Sequence, residues 1–194
     1  ADSGTVLLNN KDITNIKSNK LKEIYKDIQM VFQDAIGSFN PRFTIEESIM
    51  EYVCNLCSTT EADKKHKVDN LLRMVGLSKE YKYRYPHELS GGQCQRAAIA
   101  RALSAQPKIL VCDEATSALD VSVQAQIVEL LKEMQEKMNI SYLFITHDLA
   151  LVSSFCDRVA VMKNGKVVEV GDAKEVINNP MDEYTKLLIK SAYF

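Results

Sequence analysis

The residues with the clearest chemical capacity lie between positions 88 and 120. That stretch opens with Glu88-Leu-Ser-Gly-Gly-Gln-Cys-Gln-Arg96, continues as an Ala-rich helical run, and closes with Lys108-Ile-Leu-Val-Cys-Asp-Glu-Ala-Thr-Ser-Ala-Leu-Asp120. A Gly91-Gly92 turn at the start of a helix aims backbone N–H groups and the positive dipole end at an anion. An apolar strand over 109–112 then delivers two carboxylates, Asp113 and Glu114. A carboxylate at the C-terminal end of a buried parallel strand stands where α/β sheets bind their ligands. Phosphate donors beside a metal-binding acid point to nucleotide chemistry.

Such groups need a sheet edge and helices to hold them. Ile28-Gln-Met-Val-Phe32 is a short apolar run compatible with a buried strand, and it delivers Gln33 and a turn-rich loop over 34–41. The side-chain oxygen of a Gln at such a strand end can reach a metal ion or a bound water. Val123, Ile127, Leu130, Leu131, Met134 and Met138 form one apolar helical stripe, with Asp120 placed to cap it. Tyr142-Leu-Phe-Ile145 is the next buried strand and delivers Thr146-His147-Asp148. Strand, helix and strand in this order predict parallel pairing, with both strands ending at one sheet edge. His147 is therefore expected beside Asp113 and Glu114.

The remaining segments read more simply. Thr5-Val-Leu-Leu8 is expected as a strand ending in a turn at Asn9-Asn10, and Leu21, Ile24, Tyr25 and Ile28 fall at helix spacing. Residues 44–77 read as helical throughout: Thr44 and Glu47 have capping-box spacing, and Gly76 follows Val68, Leu71, Leu72 and Val75 as a stop. Lys64-Lys65-His66-Lys67 reads as a solvated helix face. Asn164-Gly165 joins two apolar runs as a hairpin, Asp172 with Glu175 marks a capped helix, and a last helix runs through Tyr184, Leu187 and Leu188.

Bulk properties narrow the class. The 194 residues suit one domain or a domain with a modest lobe, and 46% hydrophobic residues supply a core. A net charge of -2, from 24 basic and 26 acidic side chains, with no basic stripe, gives no support to nucleic-acid binding. Apolar runs reach only about five residues, against ~20 for a bilayer span, and the polar, acidic start does not read as a signal peptide. A membrane connection would have to run through a partner protein. Five scattered cysteines fit a reducing compartment, and Cys54-Asn-Leu-Cys57 reads as helix packing rather than a metal pair.

Taken together, Leu89-Ser-Gly-Gly-Gln93, Ile109-Leu-Val-Cys-Asp-Glu114, Ser117-Ala-Leu-Asp120 and His147 resemble the ATP-binding subunit of ATP-binding-cassette (ABC) transporters. Phe39-Asn-Pro-Arg-Phe-Thr-Ile45 and Asn179-Pro-Met-Asp-Glu-Tyr-Thr-Lys-Leu-Leu188 are similar to the oligopeptide, dipeptide and nickel importer branch. The resemblance implies an ABC-type P-loop NTPase core, an α/β fold whose parallel sheet has flanking helices and an α-helical subdomain. It implies ATP and Mg²⁺ as ligands. Asp113 would hold Mg²⁺ and Glu114 would be the general base. Gln33 would sense the metal site and couple it to membrane subunits, and His147 would contact the γ-phosphate. Ser90, Gly91, Gly92 and Gln93 would meet a nucleotide seated on a second, head-to-tail subunit, at an interface that Asp120 helps to organise. Implied partners are that second ATPase subunit, transmembrane permease subunits and, indirectly, an extracytoplasmic solute-binding protein, with no nucleic acid. The implied location is cytoplasmic, peripheral on the inner membrane face. The expected division is 1–43 for an N-terminal core part, 44–87 for the helical subdomain, 88–171 for the signature helix and catalytic core, and 172–194 for C-terminal helices.

One departure is large. No Gly-x-x-x-x-Gly-Lys-[Ser/Thr] loop occurs in the 194 residues. The chain is therefore expected to lack the family's first several dozen residues, to hydrolyse no ATP by itself, and to expose a sheet edge that promotes association. A smaller departure is Ala115, where many relatives place Pro. An alternative reading is a non-catalytic docking or assembly module that offers Ser90-Gly91-Gly92 to an intact partner. A soluble ABC ATPase of DNA repair or chromosome maintenance is disfavoured, because no sustained heptad run occurs.

Overall fold

The computed structural model describes residues 3–56, 61–117 and 119–192. It opens with a two-stranded hairpin, β1 (Leu7–Leu8) and β2 (Lys11–Asp12). The expected strand over 5–8 is thus shorter than anticipated and has an unforeseen partner. Asn9 and Asn10 make the turn with φ of +49° and +62°, the left-handed pair that a two-residue hairpin demands. Helix α1 (Ser18–Asp27) then feeds directly into β3 (Ile28–Val31).

Three helices separate β3 from the next strand. Helices α2 (Ile45–Leu56) and α3 (Glu61–Met74) fill most of 44–77, while residues 57–60, including Cys57, lie outside the described residues. Thr44 and Glu47 form the expected reciprocal cap, with the Thr44 N–H donating to Glu47 Oε2 at 2.7 Å. Two short 3₁₀ turns, Lys79–Tyr83 and Pro86–Glu88, which no periodicity announces, lead to α4 (Gly91–Leu103). Helix α4 is almost wholly enclosed: Ala97, Ile99, Ala100 and Leu103 are fully buried. Its small side chains let α2, α3 and β3 approach closely, and Ile45, Ile49, Val53, Val68, Leu72 and Val75 close the packing around it.

β4 (Ile109–Asp113), α5 (Val121–Met138) and β5 (Ser141–Ile145) complete a parallel sheet in the order β3-β4-β5. Ile127, Leu131 and Met134 bury the predicted stripe of α5 against the core, and Asn139, with φ +53°, ends that helix in the left-handed region. Burying each such aliphatic side chain contributes roughly 1.5–3 kcal/mol. Helix α6 (Leu149–Phe155) leads to the hairpin β6 (Arg158–Lys163) and β7 (Lys166–Asp172), turned at Asn164-Gly165 as expected. Asp172 caps α7 (Ala173–Asn178), and α8 (Glu183–Ala192) ends the described chain.

Cys94 and Cys112 are core residues, and burial pushes their thiols up to about 11 and about 12. They are inert packing groups. Among the described residues, no helix is long and apolar enough to cross a membrane.

Among the described residues, β5 pairs only with β4, so its other edge offers free backbone groups. Leu143 and Ile145 on this strand are 56% and 47% exposed. An open, apolar edge strand templates pairing with another chain. The 194-residue chain is expected to self-associate in sedimentation velocity as its concentration rises, and Leu143→Lys to shift it toward monomer. Concentration-independent sedimentation of the unmodified chain as a monomer would contradict this.

Candidate functional site

The parallel register sets Val31, Cys112 and Phe144 side by side, so the chain leaves all three strands at one edge. From β3 comes Gln33, from β4 Asp113 and Glu114, and from β5 His147. Gln33 Nε2 donates to Glu114 Oε2 at 2.7 Å, and His147 Nδ1 lies 3.3 Å from Glu114 Oε1. Both carboxylate oxygens of Glu114 therefore face polar partners from neighbouring strand ends. The His147 side chain remains 73% exposed, leaving its ring open to a ligand. Asp113 ends β4 half-buried, opposite Ile145.

Glu114 carries backbone strain. Its φ is +44°, a region that residues with a Cβ rarely adopt. The conformation is held from both ends: the Glu114 N–H donates to the Ile145 carbonyl at 2.9 Å, while the Ser117 hydroxyl and N–H both donate to the Glu114 carbonyl at 3.0 Å. Such strain persists where surrounding structure over-determines it, often at a functional group. Gln33 Nε2 also reaches Ser117 Oγ at 3.5 Å.

A second cluster forms at the start of α4. Ser90 is the N-cap; its Oγ accepts from the Gln93 N–H at 3.3 Å, and Gln93 Oε1 accepts from the Ser90 N–H at 3.0 Å. Gln93 Nε2 donates to Tyr81 Oη at 2.9 Å, so Gln93 is engaged within its own chain. The N–H groups of Gly91 and Gly92 are the orphan donors of the first turn. A Cβ on Gly91 would lie 3.7 Å from Leu119 Cδ2, and one on Gly92 only 2.6 Å from Val123 Cγ1. The absence of a side chain at Gly92 thus permits close helix contact. Asp120 caps α5, accepting from the Val123 N–H at 3.0 Å and the Ser122 hydroxyl at 2.6 Å. The Ser122 bond, then the Val123 bond, holds its carboxyl below the usual range. A depressed carboxylate contributes above its unfolded value and is lost as pH falls through the folded one, so this cap is intact at neutral pH.

Leu119 and Val123 bring the start of α5 up to the Gly91 and Gly92 end of α4. A third link runs through Gln124, whose Nε2 donates to Asp148 Oδ2 at 2.7 Å, while Asp148 Oδ1 accepts from the Ala150 and Leu151 N–H groups. Gln124 and Asp148 are supporting residues with no role in the sequence reading, and Ser117, known there only as the start of the Ser117–Asp120 motif, supports Glu114. For Asp148, its Asp-x-Ala-Leu helix start was a usable signal. No group of three or more His, Cys, Asp or Glu side chains able to hold a metal occurs among the described residues.

The sequence profile of the family described as ABC transporter matches residues 1–117. The chain belongs to that family. It is 46% identical over 189 residues to the dipeptide transport ATP-binding protein DppF of Lactococcus lactis subsp. cremoris, covering 97% of this chain and 61% of that one. It is also 46% identical over 192 residues to the oligopeptide transport ATP-binding protein OppF of Salmonella typhimurium, covering 98% and 58%. The chain thus spans about three-fifths of these curated relatives. Among solved structures, cbiO1 from Clostridium perfringens, part of the ABC transporter complex cbiONQ, superposes with a TM-score of 0.79 at 33% identity, covering 91% of this chain and 69% of that one. A dimeric ATP-binding cassette in a post-hydrolysis state, bound to ADP and Pi, superposes at 0.77 with 29% identity, covering 88% and 74%. The expected ABC-type α/β core is borne out.

In this ABC-family chain the α4–α5 contact can be tested directly. Alanine at position 92 gains about 1 kcal/mol of helix propensity, but overpacking against β-branched Val123 costs about 1–3 kcal/mol. Gly92→Ala is expected to lower the melting temperature by a few degrees, about 2–4 °C per kcal/mol for a chain of this size. Adding Val123→Ala should recover part of the loss. Equal melting of the single and double variants would show that the two positions do not meet.

Proposed function

We propose that this chain is part of the ATP-binding, energy-coupling subunit of an ABC importer for peptide-class solutes. The observation that carries the reading is the convergence of Gln33, Glu114 and His147 from three adjacent strand ends, with Leu119 and Val123 set against the Gly91 and Gly92 end of α4. The names of the similar dipeptide and oligopeptide proteins support the solute class; nickel-type solutes remain the alternative within the same branch. The partners are a second ATPase subunit in head-to-tail arrangement, transmembrane permeases and, through them, a solute-binding protein. The location is the inner membrane face. The division at 44, 88 and 172 is retained as part of this proposal.

The donor chemistry fits ATP with Mg²⁺. Asp113 and Gln33 offer oxygens but no all-protein cage, as suits an ion that keeps several waters and binds substrate phosphates. Bound Mg²⁺ would neutralise charge developing on the phosphates. Asp113 would hold that ion, usually through water, with Gln33 beside it. Glu114 takes a proton from the attacking water on a lone pair that Gln33 and His147 leave free. His147 holds the transferring phosphoryl group in line. Ser90 and the Gly91 and Gly92 N–H groups present donors to a nucleotide on the opposing subunit, where Asp120 orders the interface. Positioning and charge stabilisation account for most of the catalysis in this class of reaction.

No phosphate-cradling loop of the Gly-Lys-[Ser/Thr] type lies within the 194 residues, so the same geometry also supports a docking-module reading for this chain alone. By itself the chain should show Mg²⁺-dependent ATP hydrolysis no greater than its Glu114→Gln variant. Mixed with an intact oligopeptide-type subunit whose own signature serine is disabled, it should restore hydrolysis. That gain should fall about a hundredfold in Ser90→Arg and survive Glu114→Gln. Hydrolysis by the lone chain that disappears in Glu114→Gln would overturn the claim that it supplies only half-sites. A mixture without gain would overturn the composite-site reading.

A further inference from the structure

Arg101 sits in the last turn of α4 and is only 7% exposed, among Ala97, Ala98 and Ala100 of the same helix. No carboxylate lies within ion-pair distance of it among the described residues. Enclosing a guanidinium costs several kcal/mol before its compensations, and an apolar residue of similar volume would serve packing as well. Burial pulls its pKa below the usual arginine value, with Tyr52, Cys94 and Glu51 acting the other way. Its hydrogen-bonding compensation comes from one residue, Ser38. Arg101 Nη1 donates to the Ser38 carbonyl at 2.7 Å and Nη2 to Ser38 Oγ at 2.9 Å. Its guanidinium carbon lies 4.2 Å from the Phe39 ring centroid and 5.3 Å from that of Tyr52 on α2.

Ser38 and Phe39 belong to the loop that begins immediately after Gln33. The loop is internally braced: the Ser38 N–H donates to the Asp34 carbonyl at 3.1 Å, Phe39 N–H to Ile36 carbonyl at 3.2 Å, and Ser38 Oγ to Ala35 carbonyl at 2.7 Å. Its inner side is buried at Ala35 and Phe39, while Ile36 stays 46% exposed. Across the molecule, the other end of α4 is capped by Ser90. Beside the apolar burial of Ala35 and Phe39, the Arg101 hydrogen bonds therefore fasten the loop after Gln33 to the helix whose start presents Ser90, Gly91 and Gly92.

We propose that Arg101 is a positioning residue that makes the 34–39 loop and α4 one body, so that displacement of the loop after Gln33 carries the Ser90 end of α4 with it. The consequence for transport rests on the function proposed above; the mechanical claim does not. Within that function, a partner's push on the exposed side of the loop reaches the composite nucleotide site through Arg101 rather than through the sheet. The charge is what makes the attachment specific. Its two N–H groups donate to a carbonyl and a hydroxyl oxygen of one residue, and its guanidinium lies within cation–π range of two rings.

Amide hydrogen exchange and amide chemical shifts of the 194-residue chain, without nucleotide or partner, test this. Arg101→Met keeps the apolar stem and removes both donors. It is expected to speed exchange at Ser38 and Phe39 about tenfold while the α5 amides stay unchanged. Arg101→Lys, which keeps a charge and a donor, should recover part of the protection. Ile36→Ala, on the exposed side of the loop, should shift the Gly91 and Gly92 amide resonances in the unmodified background and leave them unmoved in Arg101→Met. Should Arg101→Met not fold, Ser38→Ala and Phe39→Leu make the same cut from the loop side and should abolish the same shifts. Loop exchange that rises only in step with α5, or glycine shifts that persist after either cut, would overturn the proposal. Because no nucleotide is involved, that failure is separable from failure of the mixed-subunit hydrolysis experiment.

Discussion

Parallel pairing of β3, β4 and β5 is the constraint on which everything else depends. Parallel strands need long crossovers, and each crossover returns the chain to the same starting edge. The exits are then forced together at the opposite edge, whatever the crossovers contain. Here one crossover holds α2, α3 and α4 and the other holds only α5, yet Val31, Cys112 and Phe144 still stand in line. Gln33, Glu114 and His147, separated by 81 and 33 positions along the chain, meet for that reason alone. The strain at Glu114 is tolerated because its N–H is tied to the neighbouring strand's Ile145 carbonyl.

Helix α4 applies a second constraint. Enclosed by α2, α3 and β3, it can neither swell nor tilt without disturbing a close-packed interior. Alanines along its length and Gly92 at its start let neighbours approach to contact distance, and Val123 fills the space left at Gly92. The same enclosure makes Arg101 expensive and therefore informative. A buried charge with its donors on one loop records where α4 must be held, whereas an aliphatic side chain there would record only volume.

Much of this was legible in the chain itself. Apolar runs of strand length, the Asp120 cap, the α5 stripe and the Asn164-Gly165 turn each report a local preference that tertiary structure leaves intact. Parallel pairing followed from strand, helix and strand order, and with it the closeness of His147 to Glu114. The misses share a physical cause. Lys11–Asp12 is too short and polar to show a period, and the 3₁₀ turns over 79–88 are set by packing and by Pro86 rather than by repetition. Arg101 goes unmarked in the sequence, because no one-dimensional pattern encodes a loop 63 positions away. Gln93 closes a capping box and binds Tyr81, a contact between separate elements that no local pattern encodes.

The geometry also separates what the chain holds from what it must receive. Glu114 has one oxygen against Gln33 and the other near His147, and each oxygen keeps a further lone pair, so under the proposed function these partners orient the carboxylate toward a water rather than block it. His147 follows β5 and stands beside Asp148, which is pinned to α5 through Gln124. Gln33 instead leads into a loop whose far side is fixed to α4 by Arg101 and whose near side is exposed. Of the two, Gln33 is the partner whose position an outside body can change, because its loop offers a surface to push on. Under the proposed function, the loop that orients Glu114 through Gln33 is therefore also the loop that moves Ser90. One displacement would then prepare the chain's own catalytic carboxylate and the donors it offers to its neighbour.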